Sequence, residues 1–240
     1  MRIIGLTRVR NEGAIIKDTL DHMATFCDEV YVYDDCSTDN TEKICIDHKI
    51  VKGVWGGDYW DKDRERAEYK DRQKLLEFAR EESNPAPDDW FIYMDADERV
   101  EFDINILSHT DAVRMRLFDF YITEEDINKH YTEREYIGPE YRDILFMFKN
   151  KNTSGYSVPD QREATLTSGT KVIYSGYVKH YGKSISIQQW EDTCEYYATN
   201  FPKYSEKWNN RRGKAVHTIS DFGRPLIKWE DIRSNKIVKL

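Results

Sequence analysis

Apolar and polar positions along this chain alternate in blocks, and the period within each block predicts the element. Ile3-Ile4-Gly5-Leu6-Thr7 is a short apolar run ending in the polar cluster Arg8-Val9-Arg10-Asn11-Glu12-Gly13, a buried strand feeding a loop. Ile15, Ile16, Leu20, Met23 and Phe26 then recur at helical spacing. Val30-Tyr31-Val32-Tyr33 predicts a second strand, stopped by the turn-rich string Asp34-Asp35-Cys36-Ser37-Thr38-Asp39-Asn40-Thr41. A helix over 41–47 capped by Ser37 or Thr38, a strand from Ile50-Val51 and a helix from Tyr69 to Glu82 follow. Asn84-Pro85-Ala86-Pro87 breaks that helix, and Trp90-Phe91-Ile92-Tyr93-Met94 is the strongest strand of the chain.

Strands and helices alternating at these lengths predict βαβ units on a largely parallel sheet. Such sheets bind ligands beyond the carboxyl ends of their strands. The clusters at 8–12, 34–39 and 95–98 all follow strands directly, so three strand ends deliver polar side chains to one edge. Further on, Val113–Phe118, Leu145–Phe148 and Lys171–Val178 read as strands, the last ending at Lys179-His180-Tyr181-Gly182. Trp190, Cys194, Tyr197 and Phe201 return to helical spacing. With no repeat and no Gly/Ser linker, one domain over 1–240 with a helical tail is the economical organisation.

Composition narrows the function classes. The net charge of −8 leaves no global basic field for nucleic acid or an acidic membrane, so no nucleic-acid partner is expected. No apolar window is long enough for a membrane span, and the first residues lack the run of a signal peptide. The four cysteines, Cys27, Cys36, Cys45 and Cys194, show no C-x-x-C pairing and read as free thiols in a reducing, cytoplasmic setting; zinc is disfavoured.

Asp95-Ala96-Asp97 is a D-x-D motif. With 24 Asp in the chain, chance alone gives ~2.4 such spacings, and Asp61-Lys62-Asp63 is a second case. Context separates them: Asp61 and Asp63 lie in a charged, solvated run, whereas Asp95 and Asp97 end an apolar strand. Residues i and i+2 of extended chain point the same way, so both carboxylates can face one ligand. Their hard oxygens suit Mg2+ or Mn2+, which leave positions open for phosphate. The competing reading is two acids capping a helix that starts near Glu98.

Val9-Arg10-Asn11-Glu12, Asp34-Asp35-Cys36-Ser37-Thr38-Asp39 and Asp95-Ala96-Asp97-Glu98, in this order, resemble the family 2 glycosyltransferases. The second string is close to that family's D-D-x-S-x-D signature. The resemblance implies a GT-A fold: a Rossmann-like three-layer α/β/α sandwich with a mixed, mostly parallel central sheet, here with a C-terminal helical extension. It divides the domain into a nucleotide-sugar-binding half (1–100), an acceptor half (101–185) and a helical tail (186–240). The implied reaction is transfer of a sugar from a UDP-linked donor to a hydroxyl of a carbohydrate or other acceptor, with inversion and with Mn2+ or Mg2+.

Site roles follow from the resemblance position by position. Thr7, Arg8, Arg10, Asn11 and Glu12 would wrap the nucleobase, with Arg8 and Arg10 toward sugar or phosphate. Asp35, or its neighbour Asp34, would accept from the base N–H; turn and cap chemistry is the rival reading for Asp34 and Asp39. Arg72 falls where this family often carries an arginine facing the donor; its rival reading is a surface helix charge. Asp95 and Ala96 would lie near the ribose, with Asp97, Asp95 and His180 on the metal. His180 is weighed against a core or capping histidine. Glu163 is the expected general base, with Asp160 in reserve; related sequences commonly have His-Glu where this chain has Arg162-Glu163. Two rival functions are a nucleotidyltransferase-like enzyme, for which a glycine-rich lysine loop is missing, and a non-catalytic nucleotide or carbohydrate binder.

Overall fold

In the computed structural model, residues 1–57, 59–61, 63–159 and 161–234 are described. The elements in chain order are β1 (Ile3–Val9), α1 (Ile16–Met23), β2 (Glu29–Asp34), α2 (Thr41–Asp47), β3 (Val51–Gly56), α3 (Arg64–Ser83), β4 (Trp90–Tyr93) and β5 (Glu98–Glu101). They continue with β6 (Ala112–Phe120), β7 (Tyr136–Lys149), β8 (Thr153–Gly155), β9 (Thr165–Leu166) and β10 (Val172–His180). The last are α4 (Ile187–Asn200), α5 (Ser205–Asn209), β11 (Ile227–Lys228) and α6 (Trp229–Arg233). The main sheet runs β3-β2-β1-β4-β7-β6-β10-β5, with β11 pairing β7. It is mixed: β1 is parallel to β2 and β4, β2 is parallel to β3, and β4 is antiparallel to β7. This is the expected Rossmann-like α/β sheet with its flanking helices.

The chain forms two compact units, Met1–Met115 with Asp143–Gly176, and Arg116–Arg142 with Tyr177–Leu240. In the first, alternate strand residues face opposite ways. Ile4, Leu6, Tyr31, Tyr33, Phe91 and Tyr93 pack with Leu75, Leu76 and Ala79 of α3 in one core. Each such aliphatic side chain contributes about 1.5–3 kcal/mol by leaving water. Gly5, between Ile4 and Leu6, points the other way, where a Cβ would stand 2.5 Å from Met23 of α1. Gly53 of β3 permits a similar approach by Phe78 of α3, whose ring would be 2.8 Å from a Cβ. α3 ends where Asn84 turns left-handed (φ 45°), just before Pro85.

The second unit holds an aromatic core in which Phe118, Phe120 and Tyr177 meet Trp229, and Tyr181 meets Phe120 and Tyr131. Trp190 and Cys194 of α4 are buried with Ala215, against Trp208. The tail is therefore not only helical: β11 joins the sheet through Ile227 opposite Ile137. No helix among the described residues is long and apolar enough to cross a membrane.

Candidate active site

Strand register assembles the first part of the site. Val9 of β1 lies opposite Asp34 of β2, and the Asp35 N–H donates to the Val9 carbonyl at 2.9 Å. The Met94 N–H donates to the Leu6 carbonyl at 3.0 Å, so β1, β2 and β4 release their polar clusters at one edge. Arg8 donates to Asp35 Oδ2 at 2.8 Å and to Glu68 of α3 at 3.0 Å. Arg10 Nη1 donates to the carbonyls of Asp35 (2.6 Å) and Cys36 (2.8 Å), and its guanidinium lies 4.5 Å from the Trp60 ring centre. Asn11, left-handed at φ 54°, accepts from the Thr38 N–H at 2.8 Å. These bonds close the 8–12 loop onto the 35–41 turn.

The two aspartates with rival readings separate here. Asp39 does turn and cap work: it accepts from the Thr41 N–H at 2.9 Å and the Gly13 N–H at 3.1 Å. Asp34 does both. Its Oδ1 accepts from the Ser37 N–H at 2.6 Å, while its Oδ2 is buried without a hydrogen-bond partner. Thr7 Oγ1 on β1 is buried in the same unpartnered state.

Beyond β4, the Tyr93 hydroxyl donates to Asp95 Oδ1 at 3.0 Å, and Arg162 stands 3.2 Å from Asp95 Oδ2. Burial pushes the Asp95 carboxyl up, but the guanidiniums of Arg162, Arg72 and Arg8 outweigh it and hold the group at about 2. Ala96 is buried, its carbonyl accepting from Thr19 and from Arg99. Glu12 lies well above the usual carboxylate range, first through burial and then through Asp97, Asp95 and Asp39. The acids are thus crowded at this edge, and a cation among them would relieve the crowding. Among the described residues no three His, Cys, Asp or Glu side chains form a ready cage. The hard oxygens of a carboxylate pair suit Mg2+ or Mn2+, which take their remaining ligands from water and phosphate.

Glu98 opens strand β5; it does not begin a helix. Arg72 is no surface charge: it is 6% exposed, its guanidinium 5.3 Å from the Tyr93 ring centre. Its Nη2 reaches Glu68 at 3.5 Å, and its buried Nε has no partner.

Glu163 also lies in the first unit, with both carboxylate oxygens held by Arg114 and Oε1 accepting from the Leu145 N–H at 3.2 Å. Oε1 accepts two of these bonds and Oε2 one, so Oε2 keeps an acceptor site beside Arg114. Asp160 lies outside the described residues. His180 lies in the second unit, where its Nδ1 is 2.5 Å from Asp119 Oδ1. Lys183 (2.7 Å) and Arg142 (2.8 Å) also bind Asp119, whose carboxyl is driven far below the usual range: burial opposes, but the His180, Lys183 and Arg142 contacts prevail. Sequence reasoning missed Glu98, Arg162 and Asp119. The signals were the place of Glu98 in the Asp95-Ala96-Asp97-Glu98 string and the Arg162 departure from the His-Glu pattern.

The family model described as Glycosyl transferase family 2 matches residues 7–160. Two uncharacterized proteins, from Mycobacterium tuberculosis (strain ATCC 25618 / H37Rv) and Mycobacterium bovis (strain ATCC BAA-935 / AF2122/97), are each 35% identical over 112 residues. The match covers 44% of this chain and 26% of each relative, so the chain spans about a quarter of their length. Among solved structures, glucosyl-3-phosphoglycerate synthase from Mycobacterium tuberculosis, in complex with Mn2+, UDP and glucosyl-3-phosphoglycerate, has a TM-score of 0.32 and 16% identity, covering 54% of this chain and 47% of that one. A 4-diphosphocytidyl-2C-methyl-D-erythritol synthase has a TM-score of 0.37 and 13% identity, covering 62% and 76%.

Proposed function

Because the chain belongs to glycosyl transferase family 2, we propose that it moves a sugar from a UDP-linked donor to an acceptor hydroxyl, with inversion at the anomeric carbon. The observation that carries this reading is the pair of unpartnered buried oxygens, Thr7 Oγ1 and Asp34 Oδ2, at the ends of adjacent parallel strands. A buried polar group without a partner costs about 1–3 kcal/mol, and a ligand that donates to it recovers that cost. Asp34 takes the base N–H, and Asp35, tied to Arg8, keeps the turn in place. Arg8, Arg10 and Arg72 face the sugar and phosphates, because guanidinium donors match phosphate oxygens.

Asp97 and Asp95 are the carboxylates that would hold Mn2+ or Mg2+, which when bound supplies positive charge to the leaving diphosphate. Glu163 takes the acceptor proton on Oε2, with Asp160 as the reserve. The free thiols support a reducing, cytoplasmic setting.

Thermal unfolding tests the reading. UDP with Mn2+ should raise the melting temperature more than UDP with EDTA, since a ligand that binds only the folded state stabilises it. Equal shifts in the two buffers remove the metal from the reading. No shift in either removes the nucleotide.

A further inference from the structure

Glu98 is fully buried, and a buried carboxylate needs a cation and hydrogen bonds to offset its loss of water. Arg162 supplies both: Nη1 donates to Oε1 and Nη2 to Oε2. The guanidinium is closed in by the Phe146 ring at 4.9 Å and the Tyr93 ring at 5.7 Å. This pair meets the site at Asp95. Arg162 Nη1 stands 3.2 Å from Asp95 Oδ2, and Glu98 Oε2 accepts from the Asp95 main-chain N–H at 2.9 Å. The pair therefore holds both the backbone and the side chain of the first acid after β4.

Stability alone does not explain this arrangement. A buried ion pair often contributes no more than an apolar pair of similar volume. What an apolar pair lacks is the set of hydrogen-bonding groups that holds the Asp95 main chain and carboxylate in one orientation. Connectivity adds a second consequence. Arg162 reaches the Asp95 turn, while the next residue, Glu163, reaches Arg114 and Leu145. One peptide thus joins the acid on the donor side to the proposed base.

We propose that Arg162 is a positioning residue for sugar transfer, acting with Glu98 to fix Asp95 against the donor diphosphate. This rests on the function proposed above. The test compares wild type with the double variant Glu98→Met/Arg162→Met, which removes both members of the buried pair together and leaves Asp95 to Arg72 and Arg8, and with Arg162→Lys, which keeps the charge but not the fork. UDP affinity in Mn2+ is measured by calorimetry alongside the melting temperature.

The double variant should melt within a few degrees of wild type yet bind UDP about 10–100-fold more weakly, the usual scale for groups that orient a ligand. Arg162→Lys should fall between the two. A folded double variant with wild-type affinity overturns the inference alone. If the double variant does not fold, wild-type affinity in Arg162→Lys overturns it. Wild type that binds no UDP overturns the parent reading, and the inference with it.

Discussion

Glu163 shows at the scale of a single residue how a site position can be occupied by two tasks. Arg114 grips both of its oxygens, and Arg114 also donates to the Asp143 carbonyl at 3.0 Å. Replacing Glu163 with Gln should cut kcat by about 10²–10⁴-fold if it takes the acceptor proton, with UDP affinity unchanged. It should also cost about 1–3 kcal/mol, because the amide turns a donor toward the Arg114 guanidinium and leaves it half matched. Steady-state kinetics and urea unfolding of the same variant read both. A stability loss with kcat intact would make Glu163 structural and move the base to Asp160, for which Asp160→Asn is the paired control. Single residues were legible in the sequence where a strand end exposed them. Asp34 ends β2 with Asp35 next to it, and Asp95 stands two residues beyond the end of β4. Arg162 and Glu98 were not legible, because whether a charge is buried depends on what packs over it from far along the chain.

Elements were legible where burial is two-sided and periodic. β1, β2 and β4 lie close to their predicted bounds, because a strand buried on both faces is an unbroken apolar run. β7 was seen only over 145–148, since its first half carries Gly138-Pro139 and polar residues and gains strand structure from its neighbours. β5 was not predicted, since Glu98-Arg99-Val100-Glu101 carries one apolar residue and the rival reading started a helix near Glu98. α3 begins five residues before the predicted Tyr69, in a charged stretch with no apolar spacing to announce it. Its packing on β3 gives a test of the layer. A Cβ at Gly53 would lie 2.8 and 2.9 Å from the Phe78 ring and 3.2 Å from Tyr31. Two rigid rings cannot both give way, so Gly53→Ala should lose about 1–3 kcal/mol in urea unfolding, the scale of overpacking. Wild-type stability in that variant would mean that α3 shifts freely on the sheet.

At the scale of the whole molecule, the four free cysteines report on how the two units unfold. Cys27, Cys45 and Cys194 are buried, and burial pushes the thiols up, Cys45 to about 12, so in the folded state they are not thiolates. A thiol reagent reaches them only through opening, and when reclosing is fast the labelling rate follows the opening equilibrium. Cys36, half-buried on the 35–41 turn, should react first. Cys27 and Cys45 belong to the first unit, which holds the proposed nucleotide residues, and Cys194 belongs to the second. UDP with Mn2+ at 100 times its Kd stabilises the state that binds it by about 2.7 kcal/mol, or ~100-fold in opening. Labelling of Cys27 and Cys45, followed by mass spectrometry, should therefore slow by about 100-fold on adding the ligand. Cys194 decides the rest. Slowing by the same factor means that the units open as one cooperative body, and an unchanged rate means that the second unit opens on its own. If Cys27 and Cys45 keep their rates under saturating ligand, binding does not stabilise the first unit, and the nucleotide site is not where Thr7 and Asp34 put it.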